Sequence, residues 1–394
     1  MIMRQISHRF RNFWRDGDLF LFLLCLSANM FGLILIYSAS RYTPSLQTTI
    51  LKQMAASIIG MFAYILFTFL DIEALAKRFR IPLFTCSLLL LLLLIPFGND
   101  DGTGNKSWIN IPGSPFNLQP AELVKLSFVL LLSLQFCHLQ KKGSVSRPFA
   151  ILQTAGHTFL LCAIIFLVSS DMGMVLVYLS IFLVVSWAAG VRLIWFFLGF
   201  SATAAVGYLL WPHIPSYIQM RFLVVLDHSL DPLGKGFQQL RSLLAIGSGQ
   251  LTGQGYLNGI QTQNSASSAL PARHTDFIFS VASEEFGLIG ALFILFLLSA
   301  IILRCIWIAH SAQTPFHTYV AIGYGGMLAV QTICNVGMCL FMAPVVGLTL
   351  PFFSYGGSSL ITLYIAMGIL SDIKMRSRPS WLRSLRGNSS KAIS

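Results

Sequence analysis

The chain has 394 residues, of which 55% are apolar and only 10% charged, with a mean hydropathy of +0.73. A soluble domain carries about 25% charged residues, so the composition excludes a water-soluble globule, a disordered chain and an ordinary nucleic-acid-binding protein. What remains is an all-α polytopic membrane protein, with a net charge of +12 that needs an address.

A basic leader, residues 1–18 with Arg4, Arg9, Arg11 and Arg15, precedes the first apolar stretch. It resembles a secretory signal, but the apolar core is longer than a signal's and no small-residue cleavage site follows, so a retained helix is expected. Ten apolar stretches reach or approach the roughly 20 residues that cross a bilayer as helix. They lie near 19–39, 54–70, 81–98, 121–137, 152–169, 172–189, 193–211, 281–308, 318–342 and 355–372, and only Ser169-Ser170-Asp171 separates the fifth from the sixth. Two loops are long: 99–120, rich in Gly, Asn and Pro, and 212–276, between helices 7 and 8, which contains a helix-like piece at Phe237–Ile246. Loops of that length in a compact protein are usually functional or disordered. A basic tail, 373–394, closes the chain. The seven cysteines form no CxxC pair, which argues against a disulfide or zinc framework.

The positive-inside rule orients the helices. With both termini cytoplasmic, the inside segments hold 18 of the 26 basic residues, at 1–18, 77–80, 141–147, Arg192, Arg304 and 374–391. The other face holds the remaining 8, close to balance with its acids, and the loop 212–276 is then extracytoplasmic. The excess charge is therefore topogenic and says nothing about substrate.

Ionisable residues at membrane depth are costly and point to function. Here they are Lys52, Glu122, Lys125, Asp171, Asp276, Glu284 and Glu285, all in the outer half. Glu122 and Lys125 share a helix face three residues apart; they fit either a self-neutralising pair that eases insertion or a cation held for an anionic head group. Asp276, Ser280, Ser283 or Glu284, and Gly287 fall on one stripe if the eighth helix opens near His274. Asp276 is then either a charge favoured by the helix dipole or a general base. The run Pro344–Ser359 is rich in Gly, Pro and Ser and permits irregular backbone, tolerated at membrane depth only where it is buried or lines a cavity. Three patterns are decoys. Asp16-Gly17-Asp18 has metal-holding spacing but reads as a solvated helix cap, Gly323-Tyr324-Gly325 lacks a filter's preceding Thr-Val, and the eight histidines show no HExxH.

Several blocks together resemble the SEDS family of peptidoglycan polymerases, whose branches are RodA and FtsW. They are Gln119-Pro120-Ala121-Glu122-Leu123-Val124-Lys125, His274-Thr275-Asp276-Phe277-Ile278-Phe279, Pro344 through Ser359, Asp231-Pro232-Leu233-Gly234-Lys235-Gly236-Phe237-Gln238, Ala245-Ile246-Gly247-Ser248-Gly249, Tyr37-Ser38-Ala39-Ser40, Lys52-Gln53 and Lys106-Ser107-Trp108-Ile109. The likeness runs from about 19 to 372, and Gly259-Ile260-Gln261 with Asn335-Val336-Gly337-Met338 looks more like the RodA branch. Two departures are Ser170-Asp171-Met172-Gly173-Met174, where the family commonly reads Pro-Asp-Leu-Gly-Thr, and Lys52, where many members have Arg.

The resemblance implies ten transmembrane helices in a bacterial cytoplasmic membrane and polymerisation of lipid II, the undecaprenyl-pyrophosphate-linked disaccharide-peptide, during cell elongation. It places the essential aspartate on Asp276 and the fourth-helix acid and base on Glu122 and Lys125. Lys52, Trp108, Gln119, Glu122, Lys125, Arg221, Arg241 and Arg273 become candidates for binding the substrate, with a divalent cation as the candidate cofactor. The implied partners are a class B penicillin-binding protein and elongation-complex proteins. Two other functions stay open: a flippase for lipid-linked precursors, and a noncatalytic scaffold for a cell-wall transpeptidase.

Overall fold

The computed structural model describes residues 17–42, 46–99, 106–110, 117–227, 230–231, 236–264 and 270–377. The basic leader through Asp16, the tail from residue 378 and Lys235 lie outside the described residues. The helices are α1 (Leu19–Ser40), α2 (Leu46–Thr68), α3 (Ile72–Arg78), α4 (Arg80–Leu92), α5 (Leu94–Phe97), α6 (Pro120–Lys141), α7 (Pro148–Ser169), α8 (Met172–Ala188), α9 (Leu193–Leu210), α10 (Ser216–Leu226), α11 (Phe237–Ser248), α12 (Ile278–Ser311), α13 (Pro315–Cys339) and α14 (Gly357–Ser377).

Among the described residues nine helical segments are long and apolar enough to cross a bilayer. The sixth apolar stretch is α8, which at 17 residues is shorter than the rest. Its length is set at both ends. Asp171 caps the start by accepting from the Met174 amide at 2.9 Å, and Gly190, with φ of +81°, follows the last turn. Pro120, Pro148 and Pro315 open α6, α7 and α13 at the first helical position, where the missing N–H has no helical partner to lose.

One departure from an all-α chain is a small antiparallel sheet in the loop after α5. Gly98–Asn99 pairs with Trp108–Asn110, which pairs with Asn117–Leu118, so that Trp108 stands opposite Asn99. The helix expected at Phe237–Ile246 is present as α11.

α14 is the most buried of the spans and packs along α2, with α6 and α12 also against it. α12 packs on α13 and α1, and α13 on α8. α9 contrasts with all of these, for none of its residues is buried.

At the basic end, an acid expected to be solvated is buried. Asp18 is 0% exposed and caps α1 by accepting from the Leu21 amide. Its carboxylate also takes both Nε and Nη2 of Arg304 at 2.9 Å and Nζ of Lys374 at 3.1 Å. Nearby, Arg376 joins Asp71 at 2.9 Å and Asp372 at 2.7 Å. A carboxylate at a helix start reads as a cap in sequence; its distant partners on α12 and α14 make it a buried ion-pair centre.

The opposite end contains a broken helix. α12 is interrupted at Gly287, which has φ of +66° and ψ of −159°, so the turn around it cannot make its own hydrogen bonds. The segment after α11 makes them instead. The amides of Leu288 and Ile289 donate to the Gln250 and Leu251 carbonyls at 2.8 and 3.3 Å, while the Glu284 and Glu285 carbonyls accept from Gln254 and Gly255 at 2.9 and 3.0 Å. A Cβ on Gly287 would lie 2.4 Å from the Gly253 nitrogen and 2.5 Å from the Leu251 oxygen. The side chains extend this seam: Glu284 accepts from the Gln261 amide and from the amide and hydroxyl of Thr262 at 2.6–2.8 Å, and Glu285 accepts from Ser38 of α1 at 2.5 Å and from Gln263 at 2.8 Å. The two deep glutamates thus fasten the long loop to the bundle, where the loop satisfies four backbone groups freed at the break.

Candidate active site

Asp276 lies two residues ahead of α12, in a turn, and not on the helical stripe that the spacing suggested. Its segment is held by the end of α13 and by the irregular chain between α13 and α14. The His274 carbonyl accepts from the Tyr355 amide at 2.9 Å, the Thr275 carbonyl from the Ser354 hydroxyl at 2.6 Å, and the Asp276 carbonyl from the Asn335 amide nitrogen at 2.8 Å. The same Asn335 nitrogen donates to the Leu348 carbonyl at 2.7 Å. Gln53 of α2 secures the far side of this connector, reaching the Ser354 carbonyl at 3.4 Å and accepting from the Gly356 amide at 3.2 Å. The Gly-, Pro- and Ser-rich run is therefore irregular backbone pinned by side chains from two helices, α2 and α13.

The Asp276 carboxylate faces Gly347, where an added Cβ would sit 4.0 Å from Oδ2. Burial pushes its pKa up from 3.8 to about 6, the neighbouring Asp171 charge adds to the rise, and a hydrogen bond from Thr275 opposes it. Asp171 is likewise raised to about 6, by burial first and by the Glu122 charge, against the Met174 amide and the Gln119 side chain that stabilise its anion. Gln119 donates to Asp171 Oδ2 at 3.0 Å. Burial, then Arg273, keeps the His274 imidazole below its ordinary pKa, so it is neutral near pH 7. Its ring lies 5.7 Å from that of Tyr355.

Behind Asp171, Glu122 and Lys125 form an ion pair that is buried on both sides, and Thr362 of α14 donates to Glu122 at 3.2 Å. Glu122, Asp171 and Asp276 are thus electrostatically coupled in series across α6, α8 and the entry to α12.

The remaining candidates are dispersed. Lys52, on α2 beside Gln53, is half-buried, and Trp108 is half-buried within the small sheet. Arg221 is exposed on α10. Arg241 lies half-buried on α11, 5.2 Å over the Phe237 ring, and α11 is docked by Gln239 to the Ala343 carbonyl at 2.7 Å and by Ser242 to the Cys339 carbonyl at 2.7 Å. Arg273 is buried, and its Nη1 donates to the Thr262 and Asn264 carbonyls at 2.5 and 2.8 Å. Its guanidinium braces the loop seam.

Among the described residues no three His, Cys, Asp or Glu side chains converge to hold a metal ion. The two Asp171 oxygens are committed to the Met174 amide and Gln119. This donor set does not fit a protein-held divalent cation. The residues that sequence reasoning left without a role are Asn335, Ser354 and Gln53. The signal was present: each is a polar side chain in a strongly apolar surrounding.

A family model described as "Cell cycle protein", covering the FtsW, RodA and SpoVE proteins, matches residues 19–379. The probable peptidoglycan glycosyltransferase FtsW of Geobacter metallireducens is 33% identical over 369 residues, covering 91% of this chain and 95% of that one. Stage V sporulation protein E of Bacillus subtilis is 33% identical over 368 residues, covering 92% and 98%. Among solved structures, a chain from a peptidoglycan synthase complex that coordinates polymerization and crosslinking superposes with a TM-score of 0.75 at 29% identity, over 92% of this chain and 98% of that one. The Rod shape determining protein RodA of Thermus thermophilus gives 0.68 at 26% identity, over 93% and 99%. With nearly full-length matches in both sequence and fold, the chain belongs to the FtsW/RodA/SpoVE family of cell cycle proteins.

Proposed function

We propose that the chain is a peptidoglycan glycosyltransferase of the SEDS family that polymerises lipid II at the outer face of the bacterial cytoplasmic membrane, with Asp276 as general base. One observation carries the reading. An aspartate with its pKa raised to about 6 sits on a segment whose three consecutive carbonyls are held by Asn335 of α13 and by Ser354 and Tyr355 of the α13–α14 connector. A carboxylate poised near working pH and fixed in place is what base catalysis requires. The names of the relatives support the reaction class.

In the proposed step, the Asp276 carboxylate takes the proton from the 4-hydroxyl of the acceptor's terminal GlcNAc. The oxygen attacks C1 of the donor MurNAc from the face opposite the pyrophosphate. The C1–O bond to phosphate breaks, undecaprenyl pyrophosphate departs, and the linkage inverts from α to β. One base suffices for inversion, and no step runs through a metal. Lys52, Arg221 and Arg241 keep accessible surface and are assigned to the pyrophosphate. Lys125, buried against Glu122, acts from behind, while Gln119 holds Asp171 beside the base. Trp108 is assigned to the lipid-linked sugar.

The proposed topology has ten spans with α8 as the sixth, both termini cytoplasmic and the 212–276 loop outside. It comprises a basic N-terminus (1–18), the membrane domain (19–372) and a basic tail (373–394). An elongation role with a class B penicillin-binding protein rests on the RodA-like motifs, although the matched relatives include both branch names. A flippase is disfavoured because alternating access places its site near the midplane, whereas Asp276 precedes the first turn of α12.

The test is Asp276→Asn in purified protein, assayed for glycan polymer from lipid II in detergent with and without the transpeptidase partner. A loss of roughly 10²–10⁴-fold is expected. Near-normal polymer from a folded variant would remove Asp276 from this role, and polymer that appears only through the partner would point to a scaffold.

A further inference from the structure

We infer that Asn335 is a positioning residue for the Asp276 carboxylate, locking the segment that carries the base and the segment the base faces into one register. This rests on the reading of Asp276 as the base.

The segment from His274 to Phe277 lies ahead of α12, and its buried carbonyls need donors from elsewhere. The connector supplies one each to His274 and Thr275, and Asn335 near the end of α13 supplies the one to Asp276. Asn335 differs from the other two donors in what it joins. One nitrogen places its two hydrogens on the Asp276 carbonyl at 2.8 Å and on the Leu348 carbonyl at 2.7 Å. Leu348 follows Gly347, the residue opposite Oδ2 of Asp276. A single amide therefore sets the distance between the base and the wall it faces.

Asn335 is fully buried on α13, so no solvent can replace these bonds. The chemistry is specific: an ionised carboxylate offers no hydrogen, a hydroxyl offers one, and an aliphatic side chain none. Misplacing a reacting group by about 1 Å can cost on the order of 10²-fold in rate. A purely structural asparagine would satisfy the same two carbonyls, but its loss would lower stability without altering how rate depends on pH.

The experiment assays full-length Asn335→Ala, Asn335→Asp and Ser354→Ala for polymer formation from lipid II across pH, with folding followed by thermal unfolding. Asn335→Ala is expected to lower kcat by about 10–100-fold while KM stays within about twofold. Asn335→Asp is expected to be impaired at pH 8 and to recover relative to wild type as pH falls, because the protonated carboxyl regains one donor. Ser354→Ala, which frees the adjacent carbonyl, is expected to lower kcat by a smaller factor; if Asn335→Ala does not fold, the other two variants decide. A native kcat for Asn335→Ala, or a flat ratio to wild type across pH for Asn335→Asp, overturns the positioning role. Asp276→Asn assayed alongside separates the two ideas. Polymer from it sinks the base reading and this inference together. Its inactivity beside a native-rate Asn335→Ala sinks the positioning role alone.

Discussion

As the proposed base, Asp276 has to ionise in a place that resists ionisation, and two measurements follow from that conflict. Since its pKa is raised to about 6, polymerisation should climb as pH rises through about 6 and level off above it. A pH–kcat profile with no inflection between 5 and 7 would contradict this. Stability should run the other way. The folded state holds the Asp276 proton that the unfolded chain releases near 3.8, so stability contributed by the protonated form is lost as pH rises from about 4 to about 6. Asp276→Asn removes the buried charge and should raise the neutral-pH stability, on the order of 1–3 kcal/mol, seen as a higher Tm in detergent than wild type. The sequence singles out Asp276 because an acid beside an apolar run is conspicuous. It does not show that the coupling partner is Asp171, because 105 residues of chain separate two groups that only tertiary packing brings together.

At the level of elements, the broken helix is the feature least legible in the sequence. Residues 281–308 are apolar apart from Ser283, Glu284, Glu285, Ser299 and Arg304, and a glycine within such a stretch is compatible with an unbroken helix. What breaks α12 is the competing chain at 249–255, which satisfies the freed amides and carbonyls at Gly287. Gly287→Ala combines a strained positive φ with a Cβ 2.4 Å from the Gly253 nitrogen. It should lower Tm by several degrees and make the 249–264 segment sensitive to proteolysis. An unchanged digestion pattern would mean that the seam does not depend on this glycine. Arg273 teaches the same lesson. From sequence it is a candidate cation for the substrate, whereas the structure directs Nη1 to two carbonyls of the seam.

For the whole molecule, the apolar spans and their order are legible because a bilayer imposes length and composition on each helix. The ties between spans are not. Asp18, Arg304 and Lys374 are 286 and 70 residues apart along the chain, yet they form one buried centre that joins α1, α12 and α14. Asp18→Asn leaves two cations facing a neutral amide, and breaking a buried pair typically costs about 3–5 kcal/mol. The variant should unfold at clearly lower temperature in detergent, and a Tm within 1–2 °C of wild type would show that water reaches the pair. At the opposite end, the interruption at Gly287 also sets an order of assembly. The 249–255 segment leaves the ribosome before α12, so under the proposed topology it has already crossed the membrane when that helix enters. A span that would otherwise carry four unsatisfied backbone groups into lipid thus meets its partner on arrival. Moving this loop to a position after α12, as a circular permutation would, removes that head start while leaving every native contact available.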